Sequence, residues 1–95
     1  MKWKEILRKD KYALLQSESD TQYVVVSGYD PTQPEDQQWS HGTYFTYFHN
    51  NFKKMLYLQS AYDCFMGKVN ADYIPRCRLS ELATLLKDGL ISDDR

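Results

Sequence analysis

The stretch from Tyr12 to Tyr29, YALLQSESDTQYVVVSGY, decides the fold. YALLQS (12–17) reads as a strand, and ESDT (18–21) as a turn whose Ser and Asp side chains bond the local backbone. QYVVVSGY (22–29) is the most strand-like segment of the chain, with three consecutive valines. Alternation puts Tyr23, Val25 and Ser27 on one face and Val24 and Val26 on the other. Apolar side chains on both faces predict a central strand covered, wholly or in part, from both sides. Residues 12–29 are therefore expected to form a hairpin at the centre of the domain.

Toward the N-terminus, WKEILRK (3–9) carries Trp3, Ile6 and Leu7 at helical spacing, opposite Lys2, Lys4, Glu5 and Arg8. That spacing predicts a two-turn amphipathic helix ending near Lys9-Asp10, too short to be stable unless docked. In the other direction, DPTQPEDQQWSHG (30–42) is broken by Asp30-Pro31 and Gln33-Pro34 and reads as a long irregular loop. Loops of this length are functional or disordered, and Trp39 argues for packing. TYFTYF (43–48) is a third strand. Asn50 or Asn51 then caps a helix over 52–69, with Phe52, Met55, Leu56, Tyr62, Phe65, Met66 and Val69 as its stripe, widened by Leu58, Ala61 and Cys64. A further helix is expected over 78–88, with Leu79, Leu82, Leu85 and Leu86 on its apolar side and Gly89 just past its end. The expected fold is α+β: a small three-stranded antiparallel sheet covered by helices, in the order α-β-β-β-α-α, as one domain over 1–95.

Composition bounds the function. A chain of 95 residues builds one domain. Twelve Lys and Arg against thirteen Asp and Glu leave a net charge of -1, which excludes a polyanion binder held by bulk charge. No apolar run approaches the ~18 residues of a membrane-spanning helix. The start, MKWKEILRKDKY, lacks the apolar stretch of a signal peptide, and two cysteines make no disulfide framework, so a reduced, cytoplasmic location is expected.

Catalytic chemistry finds little support. Cys64 falls near the apolar side of a helix, where a thiol behaves as a small hydrophobe. Cys77, between Arg76 and Arg78, sits beside cations that would lower its pKa, but no paired histidine is evident. His41, His49, Cys64 and Cys77 have no metal-ligand spacing, and no phosphate-binding or nucleophile-elbow motif occurs. No enzyme, metal or cofactor is expected.

Two surfaces could instead bind a macromolecule. Lys2, Lys4, Arg8, Lys9 and Lys11, with Trp3 and Tyr12, form a basic N-terminal patch suited to phosphate and base stacking; Lys53, Lys54 and Lys68 extend it. Glu18, Asp20, Asp30, Glu35 and Asp36 fall in a stretch, 12–36, that holds no Lys or Arg, and would face a basic partner. Aromatic residues reach 15% of the chain, with eight Tyr, and suit half-exposed binding faces.

YALLQSESDTQYVVVSGYD followed by QQWSHGTYF resembles small uncharacterised domains encoded by bacterial mobile elements, over residues 12–48. LSELATLLKDGLISDD (79–94) is similar to the first half of the SHOCT motif, matching at Leu79, Leu82, Leu86, Gly89, Ile91 and Ser92, and lacks that motif's second helix. The element order and length also look like some anti-CRISPR proteins, small phage or plasmid products that cover a nuclease surface.

The expectation is a non-enzymatic protein-binding module of a phage, plasmid or conjugative element. Its contact residues would be Tyr29, Glu35, Asp36, Trp39, His41 and Tyr44, because Trp and Tyr dominate interface energetics. One specific form is an inhibitor that occludes a host defence nuclease. A homodimer would follow if a Tyr-rich sheet face stood open. The alternative class, with nucleic acid as the less favoured ligand, is an accessory protein binding through the basic N-terminus.

Overall fold

The structure is a computed structural model and describes residues 2–74. It is a four-stranded antiparallel meander followed by one helix: β1 Trp3–Lys9, β2 Tyr12–Ser17, β3 Gln22–Ser27, β4 His41–Thr46 and α1 Asn51–Val69. The strands lie in chain order, so β1 and β4 are the edges. The expected three-stranded sheet in the order α-β-β-β-α-α is thus overturned at its first element. The likeness to anti-CRISPR proteins was carried by that order and by length, and the order no longer supports it. The helix expected over 78–88, the SHOCT-like segment and Cys77 lie outside the described residues.

The first seven-residue element is a strand because its apolar spacing fits a bulged strand as well as a helix. Glu5 pairs with Leu15 and Leu7 with Leu14, so Ile6 is the extra residue of a β-bulge. The bulge resets the alternation. Trp3 lies on one face of the sheet, while Ile6 and Leu7 both reach the core on the other. Positions i, i+3 and i+4 are therefore apolar in a strand that changes phase once. A two-residue turn, Asp10-Lys11, with Asp10 at φ 56, joins β1 to β2. The Lys, Arg and Glu of β1 also suit an edge strand, since charge and a bulge discourage pairing with another chain.

The expected hairpin stands as β2 and β3, with Leu14 opposite Val25 and Leu15 opposite Val24. Its turn is stapled by the Ser17 hydroxyl, which accepts from the Thr21 and Gln22 amides at 3.1 and 3.2 Å. Valines 24, 25 and 26 are all buried, so both faces are covered, as the alternation implied.

One face is covered by α1. Asn50 caps the helix, its side chain accepting from the Lys53 amide at 3.0 Å. Phe48 and His49, at φ 50 and 63, turn the chain sharply from β4 into it. Leu58, Ala61 and Phe65 are buried against Ile6, Leu14, Tyr23, Val25 and Tyr47, with Tyr57, Tyr62, Cys64, Met66 and Val69 packed around them. The buried line runs through 58, 61 and 65, rotated from the expected stripe, and leaves Phe52 and Leu56 exposed. Cys64 packs as the small hydrophobe expected of it.

At one end of this core lies a polar knot. The Tyr47 hydroxyl donates to Asp20 Oδ1 at 2.7 Å and accepts from Gln16 Nε2 at 2.9 Å. Lys54 Nζ reaches the same Asp20 oxygen at 2.8 Å and lies 5.9 Å from the Tyr47 ring centre. Burial pushes the Asp20 carboxyl up, but Lys54 and Tyr47 outweigh it and hold the group below the usual range. Burial pushes the Tyr47 and Tyr23 hydroxyls up, and the Tyr23 hydroxyl has no hydrogen-bond partner among the described residues.

Candidate functional site

The second face has no helix. Ala13, Leu15, Val24 and Val26 are nevertheless fully buried there, because the loop between β3 and β4 folds down over them. Residues 28–40 place Tyr29 and Trp39 on this face, and Trp3 of β1 packs beside them. This second face is thus covered by the chain's own loop and by Trp3.

The loop holds its shape through backbone closure. The Asp30 amide donates to the Gln38 carbonyl at 2.7 Å, bringing its ends together as in a compact Ω-loop. Asp30 nucleates the first turn, its carboxylate accepting from the Thr32 amide at 3.0 Å and the Thr32 hydroxyl at 2.6 Å. The Thr32 hydroxyl and amide, with Gln33, hold that carboxyl below its usual range. Pro34 starts a single 3-10 turn over Glu35–Gln37, closed by the Gln37 amide on the Pro34 carbonyl at 2.8 Å. The Gln38 side chain spans the interior to the carbonyls of Pro31 and Gln33, both at 3.3 Å. Outside the ring, the Tyr29 amide bonds the Lys11 carbonyl at 2.9 Å and the Ser40 amide bonds the Ser27 carbonyl at 3.0 Å. Gly28 makes the entry possible: its φ is 68, and a Cβ there would lie 2.5 Å from Ser40 Oγ.

A loop cannot tile a sheet face as a helix does. Between its outer turn and the sheet remains an open cleft of about 530 Å3, lined by Trp3, Glu35, Asp36, Gln38, Trp39 and Tyr44. Trp3 and Trp39 meet edge to face, ring centres 5.7 Å apart and planes at 79°. Tyr44, from the far edge strand, leans across the inner strands to 6.2 Å from Trp3 and stays 52% exposed. Glu35 and Asp36 come from the 3-10 turn. A smaller hollow of about 240 Å3, lined by Lys2, Trp3, Glu18, Glu35 and Gln38, adjoins it.

Four of the six residues expected to contact a partner thus line one cleft: Glu35, Asp36, Trp39 and Tyr44. Tyr29 does not join them. It is buried beneath the loop, with the Arg8 guanidinium 5.4 Å from its ring centre; burial and neighbouring Glu5 push its hydroxyl up. His41 begins β4, exposed and outside the cleft, its Nδ1 3.3 Å from Ser40 Oγ. The other two cleft residues are Trp3, expected in the basic N-terminal patch, and Gln38, which the sequence did not mark. Reading 3–9 as a bulged strand would have put Trp3 on this face; nothing in the local sequence singles out Gln38.

The basic N-terminal residues do not form the single helical face expected of them. Arg8 pairs with Ala13 on the loop-covered side, whereas Lys4 and Lys9 pair with Gln16 and Tyr12 on the other. Lys11 is in the turn, and Lys2 lines the smaller hollow. Lys54 is engaged by Asp20. Among the described residues no cluster of three or more His, Cys, Asp or Glu could hold a metal, and no helix is long and apolar enough to cross a membrane.

Comparison of the chain with known protein families, with characterised proteins and with solved structures finds no match.

Proposed function

We propose that the protein is a non-enzymatic binding module that takes a segment of a protein partner into the cleft between Trp3, Trp39 and Tyr44. The observation that carries this reading is a three-ring cleft with acidic residues in its lining, held by a loop closed through its own hydrogen bonds. Exposed aromatic surface of this kind is what interface anchors are made of. The loop also arrives ordered, so little conformational entropy would be lost when a partner binds. Phosphate is disfavoured at the same place, because Glu35 and Asp36 would repel it.

Capture of partners from an extract of the encoding cell tests this, using wild type, Tyr44→Ala and Asp36→Lys in parallel. Tyr44 and Asp36 are exposed, so both variants should fold. A protein retained by wild type and lost with both variants is the expected result. Nucleic acid retained equally by all three, and stripped by moderate salt, would transfer the function to the basic residues of β1.

A further inference from the structure

We infer that the cleft receives the guanidinium group of an arginine from a basic segment of the partner; this deepens the protein-binding reading and rests on it. The rings set the first requirement. Trp3 and Trp39 stand nearly perpendicular, so a flat group laid on one ring face meets the edge of the other. Tyr44 leans in at 57° to Trp3 and bounds the same space. A planar cation satisfies this corner, since the face of an indole attracts positive charge.

The carboxylates set the second requirement. Asp36 and Glu35 line the cleft with the three rings, and Glu18 with Glu35 lines the adjoining hollow. The two hollows share Trp3, Glu35 and Gln38, so they form one continuous surface whose described lining carries the carboxylates of Glu18, Glu35 and Asp36 and the ammonium of Lys2. A guanidinium stacks through its face while its in-plane N–H groups donate to carboxylates. A quaternary ammonium would meet the rings but could donate no proton to Asp36. A lysine ammonium could donate, but it is a compact, strongly hydrated charge with no flat face, poorly matched to an open cleft of about 530 Å3. The residues flanking the arginine would lie along the adjoining hollow, where a second basic residue finds Glu18.

The molecule carries its own reporter. Its two tryptophans, Trp3 and Trp39, both line the cleft, so all indole emission comes from the proposed site. Titration with a short arginine peptide should change that emission saturably. The citrulline counterpart keeps the planar shape and most N–H donors but loses the charge, and should bind at least about tenfold more weakly, as should the lysine counterpart. Asp36→Asn and Tyr44→Ala should each weaken arginine binding several-fold while leaving the urea midpoint unchanged. Equal binding of the citrulline peptide would overturn the cationic ligand and keep the cleft as a peptide site. Equal binding of the lysine peptide would overturn the guanidinium, and stronger binding of oligothymidylate would overturn the inference altogether. No saturable response to the arginine peptide up to millimolar concentration would also overturn it, whereas the protein-binding reading would survive if partner capture still depended on Tyr44.

Discussion

Leu14 and Leu15 are neighbours in β2 and both are fully buried, yet they belong to different cores. Leu14 faces α1 and a layer of rings that includes Tyr23, Tyr47 and Phe65; Leu15 faces a loop, two tryptophans and Tyr29. The helix is a rigid cylinder that packs its own side chains into the sheet along 58, 61 and 65. The loop secures itself first, through Asp30, Gln38 and the 3-10 turn, and reaches the sheet mainly through Tyr29 and Trp39. One cover is continuous and the other is propped on a few rings. The difference explains why the open cleft lies on the loop-covered face: it is the space left between a self-contained loop and the sheet beneath it.

The strongest way to break that comparison is to shorten each leucine in turn. Leu14→Ala should cost about 4–5 kcal/mol, at the upper end for a buried leucine, because α1 cannot collapse into the void. Leu15→Ala should cost about 2–3 kcal/mol, since a loop can settle by a small shift. Urea unfolding gives both values, and equal losses would show that the loop is as stiff a cover as the helix. Emission adds a second reading: Leu15→Ala should perturb native tryptophan emission, and Leu14→Ala should leave it unchanged until the protein unfolds.

Two tyrosines of the helix-covered core sharpen the contrast within one face. Their rings lie 5.0 Å apart, but the Tyr47 hydroxyl joins Gln16 to Asp20 while the Tyr23 hydroxyl is buried without a partner among the described residues. Tyr47→Phe should cost about 1–2 kcal/mol for its two hydrogen bonds. Tyr23→Phe should be neutral, or stabilising by up to about 1 kcal/mol, because it removes a buried donor that bonds nothing among the described residues. The opposite ranking would mean that Tyr23, not Tyr47, organises this end of the core.

Asp20 gives the same knot a pH signature of smaller size. Its carboxyl titrates lower in the folded protein than the ordinary 3.8. Its contribution is therefore complete above pH 3.8 and is lost as the pH falls through the lower folded value. The side chain is 47% exposed, so water screens the pair with Lys54 and the loss should stay below about 1 kcal/mol. Acid titration of stability for wild type and Asp20→Asn should show this component in the former and not in the latter.

Much of this was legible in the chain. The hairpin at 12–29, its two apolar faces, the fourth strand and the Asn50-capped helix follow from alternation, valine content and capping chemistry. The first strand was not legible, because a bulge at Ile6 converts strand alternation into the spacing of an amphipathic helix. Its pairing with β2 is a tertiary fact that no seven-residue window contains. Four of the six cleft residues could be named, since Trp39, Tyr44, Glu35 and Asp36 carry side chains that interfaces use. Tyr29 and His41 share that chemistry and differ only in direction, one beneath the loop and one beyond it. Direction depends on how residues 28–40 close, through bonds such as that from the Asp30 amide to the Gln38 carbonyl. Trp3 was assigned to the basic patch because β1 reads as a helix in isolation.

Gly42 offers the finest adjustment of the loop-covered face. A Cβ added there would lie 3.0 Å from Val24 Cγ2, 3.1 Å from Trp39 Nε1 and 3.4 Å from Tyr44 Cε1. Val24 is fixed in an inner strand and cannot yield, whereas Trp39 is half-buried at the end of a loop and Tyr44 is exposed. Gly42→Ala should therefore push the Trp39 ring outward by a few tenths of an ångström, at a cost of about 1 kcal/mol, the low end for overpacking. The displaced indole should emit further to the red, and binding in the cleft should weaken even though no cleft-lining side chain has changed. If stability falls by much more than this and emission stays put, Trp39 is held as firmly as a core residue. The loop would then be a second rigid cover, and the distinction between the two faces would reduce to their shape.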